Sequence, residues 1–265
     1  MGKLPFYFAV VWLALVMLAA LGAGWLPLPP PDQIDWANLA ARPGVAGHLL
    51  GTDTLGRDIL SRLLFGSRVS LVVGAAAPVI GLVLGAMFGV VAGFHGGMTD
   101  RVISGGIDIF LAFPRLVFLL MAMFVFGASL LNLTLALGLV CAPPFARIAR
   151  GNTMKLAGRE FVLAARGVGA SDYDLIFREI LPNIMHPLVV YTLLAMGLVI
   201  VAEGSLGLLG LSVPPPTPSW GGMIAEGREI LDQAPHVSMI PMGAMFLTIL
   251  SVNLIGDRLR REEQP

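Results

Sequence analysis

From Val69 to Ala92 the chain carries no charged side chain, and from Leu116 to Ala146 it again carries none. A helix rises about 1.5 Å per residue, so roughly 20 apolar residues cross a hydrocarbon core. Runs of this length commit the chain to membrane helices. Composition agrees: 56% of residues are hydrophobic and 13% are charged, against roughly 25% charged in a soluble domain. Mean hydropathy is +0.83. Formal net charge is zero, so no basic excess points to a nucleic-acid partner.

Six segments qualify as spans: 6–26, 69–92, one beginning near Val102, 130–149, 184–206 and 236–256. The prolines at 27, 29, 30 and 31 end the first. The charge-free run 116–146 is too long for one helix and too short for two, so the third helix must start earlier and carry Asp108 and Arg115. Gly127-Ala128-Ser129 then turns into the fourth. The expected fold is all-α: a polytopic bundle of six transmembrane helices. Residues 1–68 form an N-terminal helix and outer loop, 69–256 the core and 257–265 a short tail. Lys3 precedes the first apolar run as in a signal peptide, but the run is longer than the usual h-region of roughly 7–15 residues. It reads as a retained helix, with cleavage near the Ala-Leu-Gly-Ala-Gly stretch at 20–24 as the alternative. Gly81, Gly85, Gly89 and Gly93 recur every four residues on one helix face. Such small-xxx-small faces predict close helix packing in lipid.

Lys and Arg set the orientation. One side holds Lys3, Arg101, Arg147, Arg150, Lys155, Arg159, Arg166, Arg178, Arg258, Arg260 and Arg261; the other holds Arg42, Arg57, Arg62, Arg68 and Arg228. Eleven against five places both termini in the cytoplasm. The loop 150–183 is then cytoplasmic, and 27–68 and 207–235 are outer loops.

The cytoplasmic loop is patterned. Phe161, Ala164, Ala165 and Val168 fall at i, i+3, i+4 and i+7, a helical stripe. Gly169 is a stop for that short helix. Ser171 starts a second, with Asp174 three residues on as an acidic cap partner, and Pro182 closes it. The pattern fits an amphipathic loop packed under its own bundle. It fits equally a docking helix laid into a groove on a cytoplasmic protein.

The stretch Glu160-Phe161-Val162-Leu163-Ala164-Ala165-x-x-x-Gly169, followed by Leu181-Pro182, resembles the EAA loop of ATP-binding-cassette importer permeases. Leu163 stands where that family usually has an acidic residue. The segments 50–70 and 202–227 resemble the dipeptide, oligopeptide and nickel permeases, of the type that pairs with a homologous sister subunit. The resemblance implies a type I importer fold in a bacterial inner membrane. Glu160, Phe161, Ala164, Ala165, Val168, Gly169, Ala170, Ser171 and Asp172 would contact the ATPase. It also implies two ATPase subunits or domains, an external substrate-binding protein and a peptide cargo, with nickel and haem as alternatives. The chain has no Gly-x-x-x-x-Gly-Lys-Ser/Thr, hence no phosphate cradle. ATP and Mg would be bound by partner subunits, and the chain itself is non-catalytic.

Other residues carry further expectations. Asp108, Arg115 and Glu203 lie in or at the ends of spans, where ionisable groups face protein or water. Arg115 is seven residues from Asp108, which suits an intramembrane pair or the lining of a translocation pathway. Glu203 suits a structural or gating role. Thr52-Asp53 and Gly56-Arg57-Asp58 form an outward-facing polar cluster. Ile59, Leu60, Leu63 and Leu64 suggest an interfacial helix leading into the second span. The prolines at 214–216 and 218, with Trp220, suggest a rigid apolar ledge at the outer gate. Cys141 is a lone apolar-run cysteine. His95, His186 and His236 stand far from one another in the sequence, and no metal site is expected. An ion-gradient transporter would show an inverted repeat or broken helices, and neither is legible. A passive scaffold would tolerate scrambling of 160–172.

Overall fold

The computed structural model describes residues 3–45 and 47–262, so the last three residues of the expected tail lie outside it. The helices are α1 (Lys3–Gly22), α2 (Ile59–His95), α3 (Gly97–Ala112), α4 (Arg115–Phe126), α5 (Leu130–Ala157), α6 (Glu160–Gly167), α7 (Asp172–Asp174), α8 (Leu181–Leu208), α9 (Trp220–Gly227) and α10 (His236–Glu262). No strand occurs among the described residues. Among the described residues, five helices are long and apolar enough to cross a membrane, and the bent pair α3–α4 brings the number to six when counted as one span.

The glycine face is the seam between α2 and α5. A Cβ on Gly85 would lie 2.5 Å from the Ala142 carbonyl oxygen, and one on Gly93 would lie 2.7 Å from that of Arg150. Gly81 is pressed against Cys141, and Gly89 against Ala146 and Ala149. Lipid is as apolar as a leucine side chain, so association in a membrane relies on such close backbone approach. Read along α2, three apolar clusters follow one another. Ile59 packs with Met223 and Val237. Val73 and Ala77 pack with Leu119, Leu133, Leu137 and Val199. Val90 packs with Phe145, Leu175, Ile184 and Leu188. Cys141 is half-buried and borders the last two.

Three expectations are corrected. The third span is not a straight helix: α3 and α4 meet at 84°. Pro114 drives Phe113 into an extended conformation, φ −79° and ψ 132°, which ends α3. Gly96 and Gly97, with φ of 64° and 56°, make the turn at its other end. Second, Pro182 does not close the second loop helix. A π-helical turn, Leu175–Ile180, carries α7 directly into α8, giving one continuous helix Asp172–Leu208. Proline lacks an N–H and clashes with the carbonyl four residues back. The wider turn takes up that misfit: Leu181 N–H donates to Ile176, five residues back. Third, among the described residues no separate interfacial helix precedes the second span. Residues 59–68 are the first turns of α2, capped by Asp58, whose carboxylate accepts from Ser61 N–H at 2.7 Å.

Candidate coupling helix and pathway residues

α5 ends at Ala157, and Arg159, in extended conformation, turns the chain into α6. Val162 is fully buried and joins Leu175, Ile180 and Ile184 in the third apolar cluster, with Ala165 packed beside it. Val162 thus pins α6 to the bundle. Phe161, Ala164 and Val168 point the other way and are exposed, Val168 by 89%. The expected stripe is therefore split: Ala165 turns toward the bundle, and the three others form a free apolar face. Sequence reading missed Val162 as the anchor. Its i, i+3 spacing to Ala165 was the available signal.

The end of α6 is a Schellman motif. Ala170 N–H donates to the Ala165 carbonyl at 3.0 Å, and Gly169 N–H to that of Arg166 at 3.0 Å. Gly169 has φ +93°, a left-handed conformation that glycine adopts without a Cβ penalty. Ser171 caps the next helix as expected: Asp174 N–H donates to its Oγ at 3.2 Å, and its hydroxyl donates to Asp174 at 2.6 Å. Arg166 lies 3.7 Å from Asp172 and stacks over the Phe94 ring. Glu160 occupies the first turn of α6, where a carboxylate complements the helix dipole. All nine residues expected at the coupling surface thus fall on α6, its cap and the start of α7.

Glu203 and Trp220 are linked through Ser70, which bonds to both. Glu203 is fully buried on α8. One carboxylate oxygen accepts from Ser212 at 2.6 Å and Ser219 at 2.8 Å; the other accepts from Ser70 at 3.4 Å. Trp220 is not on an exposed ledge. It is 1% exposed, donates its indole N–H to the Leu63 carbonyl at 3.0 Å and its backbone N–H to Ser70 at 3.2 Å. The prolines 214–216 are exposed, and Pro218 is buried.

The polar cluster expected to face outward turns inward. Thr52, Asp53, Arg57 and Asp58 are all buried. Asp53 accepts from Arg57 Nε at 2.7 Å, and Glu226 accepts from both Arg57 and Arg62 at 2.7 and 2.8 Å. Buried charges need such partners, and these ones tie the loop before α2 to α9. His236 contributes a second tie, its Nε2 lying 3.0 Å from the Ala41 carbonyl oxygen.

Asp108 does not pair with Arg115. The bend at Phe113-Pro114 separates them, and Asp108 instead accepts from Arg147 at 2.6 Å. Arg115 lines a cavity of about 120 Å³ with Cys141 and Tyr191. Among the described residues, no group of three or more His, Cys, Asp or Glu is placed to hold a metal ion.

A glycine-zipped helical bundle with a short amphipathic helix pinned to one end has the architecture of a transport permease. Residues 85–261 match the family of binding-protein-dependent transport system inner membrane components. The chain belongs to that family, the permease subunits of ATP-binding-cassette importers, and is a multi-pass inner-membrane protein. It is 37% identical over 253 residues to the glutathione transport system permease protein GsiD of Pectobacterium atrosepticum, covering 96% of this chain and 84% of the relative. It is 38% identical over 258 residues to GsiD of Shigella dysenteriae, covering 97% and 85%. In fold it resembles the inward-facing MetNI methionine ABC transporter, with a TM-score of 0.63 at 18% identity, covering 77% of this chain and 97% of that one. An amino acid ABC transporter crystallised with histidines gives 0.58 at 15% identity, covering 76% and 94%. This class implies an ATPase and a substrate-binding protein as partners.

Proposed function

We propose that this permease forms half of the translocation pathway of a peptide importer and receives mechanical work through α6. A homologous sister permease forms the other half. Two ATPase subunits or domains bind ATP and Mg, one of them docks on the exposed face of α6, and both termini of the chain lie with them in the cytoplasm. The observation that carries this reading is the split of α6: Val162 holds it to the bundle, and Phe161, Ala164 and Val168 are left free. An apolar helical face of this kind seats in a groove. Because Val162 shares an apolar cluster with Leu175 and Ile184, which belong to one continuous helix, displacement of α6 is passed through that cluster to α8. The relatives' names favour a small peptide, since glutathione is a tripeptide.

The test is reconstitution of the chain with its co-purifying subunits in proteoliposomes. ATP-driven uptake of glutathione and of di- and tripeptides is expected, with no uptake of nickel or haem. Scrambling residues 160–172 should abolish ATPase association. Gradient-driven uptake by this chain alone would overturn the reading.

A further inference from the structure

Two ion pairs join α3 to α5, and they are built differently. Asp100 is filled: Arg150 donates to both of its oxygens, through Nε at 2.5 Å and Nη2 at 2.6 Å, and Ser104 adds a third bond at 2.9 Å. Its side chain is only 17% exposed. Asp108 meets a single nitrogen of Arg147 at 2.6 Å, and the two side chains are 63% and 59% exposed. One Asp108 oxygen and most of the Arg147 fork therefore keep free hydrogen-bonding capacity. The pair borders a cavity of about 410 Å³ lined by Ser104, Ile107, Asp108, Arg147 and Arg150. That volume suits a small ligand, for which pockets run to roughly 300–1,000 Å³. Ionisable groups on membrane helices face water or protein rather than acyl chains. One pair is thus closed and holds the helices together. The other is open toward a polar space.

We infer that Asp108 and Arg147 form a contact site for the charged termini of a zwitterionic peptide in transit, Asp108 for the α-ammonium and Arg147 for the α-carboxylate. The inference rests on the peptide-importer reading above and assigns residues to it. A carboxylate with a free oxygen accepts from an ammonium, and a guanidinium fork matches a carboxylate in two parallel bonds. With no peptide present the two side chains neutralise each other, so neither charge is left bare. Exposed ion pairs are weak. Weakness suits a pathway, where cargo must enter and also leave.

The test uses the assembled, nucleotide-free transporter in nanodiscs, without its binding protein. Trialanine, N-acetyl-trialanine and trialanine amide are titrated in, and contact is read by saturation-transfer NMR. Asp108→Asn should weaken trialanine binding about three- to fivefold and leave the acetylated peptide unchanged. Arg147→Gln should do the same to trialanine and leave the amide unchanged. Variants that bind all three peptides like the parent would overturn the assignment, as would a parent complex that shows no contact. In a Cys141→Ala background, Asp108→Cys and Arg147→Cys should react with a membrane-impermeant thiol reagent in the assembled complex. Protection would place the pair under lipid or another subunit and equally overturn it. ATP-driven peptide uptake is measured separately. Intact uptake beside these negative results removes this assignment alone, and absent uptake removes the importer reading beneath it.

Discussion

The backbone N–H of Ala170 donates to the carbonyl of Ala165, with Gly169 between them at φ +93°. Together with the Gly169 N–H bond to the Arg166 carbonyl, this bond ends α6 and sets the direction in which the chain leaves toward α7. Proline cannot adopt that φ and has no N–H for the bond to Arg166. Gly169→Pro should therefore leave ATP hydrolysis running with import lost. Ala165→Arg should act alike, because Ala165 is packed against the bundle beside Val162. Uptake per ATP in proteoliposomes reads both, and an unchanged ratio in the two variants would refute the role of α6. Val162→Asp should be more severe than either, by burying a charge at the fully buried anchor.

The α2–α5 seam makes a second prediction. A methyl group on Gly89 runs into the Ala146 carbonyl, whereas Gly105 and Gly106 on α3 have nothing within 4 Å. Gly89→Ala should cost about 1–3 kcal/mol through overpacking. Gly105→Ala and Gly106→Ala should be neutral or slightly stabilising, because alanine narrows the unfolded ensemble. Thermal unfolding of the purified protein in one detergent compares all three. Equal effects at 89 and 105 would mean that the seam is not tight.

Glu203 gathers three serines, one from within α2, one from the loop after α8 and one from the start of α9, so its removal should be felt in each. Glu203→Ala strands buried hydroxyl groups, at about 1–3 kcal/mol for each group left unsatisfied. Ser212→Ala and Ser219→Ala should each cost less than Glu203→Ala. Ser219→Ala should be the worse of the two, because that hydroxyl also accepts from Gly222 N–H at 3.0 Å and caps α9. A Glu203→Ala protein as stable as the parent would show that the network contributes nothing.

His48 makes the loop before α2 pH-sensitive. Its Nδ1 lies 2.8 Å from Asp58, and its Nε2 lies 3.5 Å from Asp35. The Asp58 hydrogen bond raises the imidazole above its ordinary value of 6.5, with burial opposing and Asp35 adding to the rise. Asp35 itself is lowered from 3.8, chiefly by Asn38 and the Ala37 N–H. The fold favours the charged imidazole. Its stabilisation is whole below pH 6.5 and is lost as pH climbs through the raised folded value. The melting temperature of the parent should fall relative to His48→Gln as pH rises above about 6.5. A difference that stays flat with pH would remove His48 from the account. Asp35 acts in the opposite window: its contribution is present above 3.8 and lost as pH falls through its lowered value.

What the linear chain determined follows from short-range rules. Charge-free runs set the membrane helices, the four-residue glycine repeat marked the α2 face that meets a neighbour, and Gly169 and Ser171 marked where α6 stops and α7 starts. Each depends on a local period or a local dihedral preference. Partner identities across long separations do not. Only the folded chain chose Arg147 for Asp108, turned Asp53 and Arg57 inward to Glu226, and buried Trp220 against Leu63. Pro114 and Pro182 show the same division. Both residues announce a break, yet one becomes an 84° bend and the other is absorbed by a π turn. The apolar packing of Leu175 and Ile180 on Val162 holds the second helix continuous. α3 has no buried residue that could hold the first one straight.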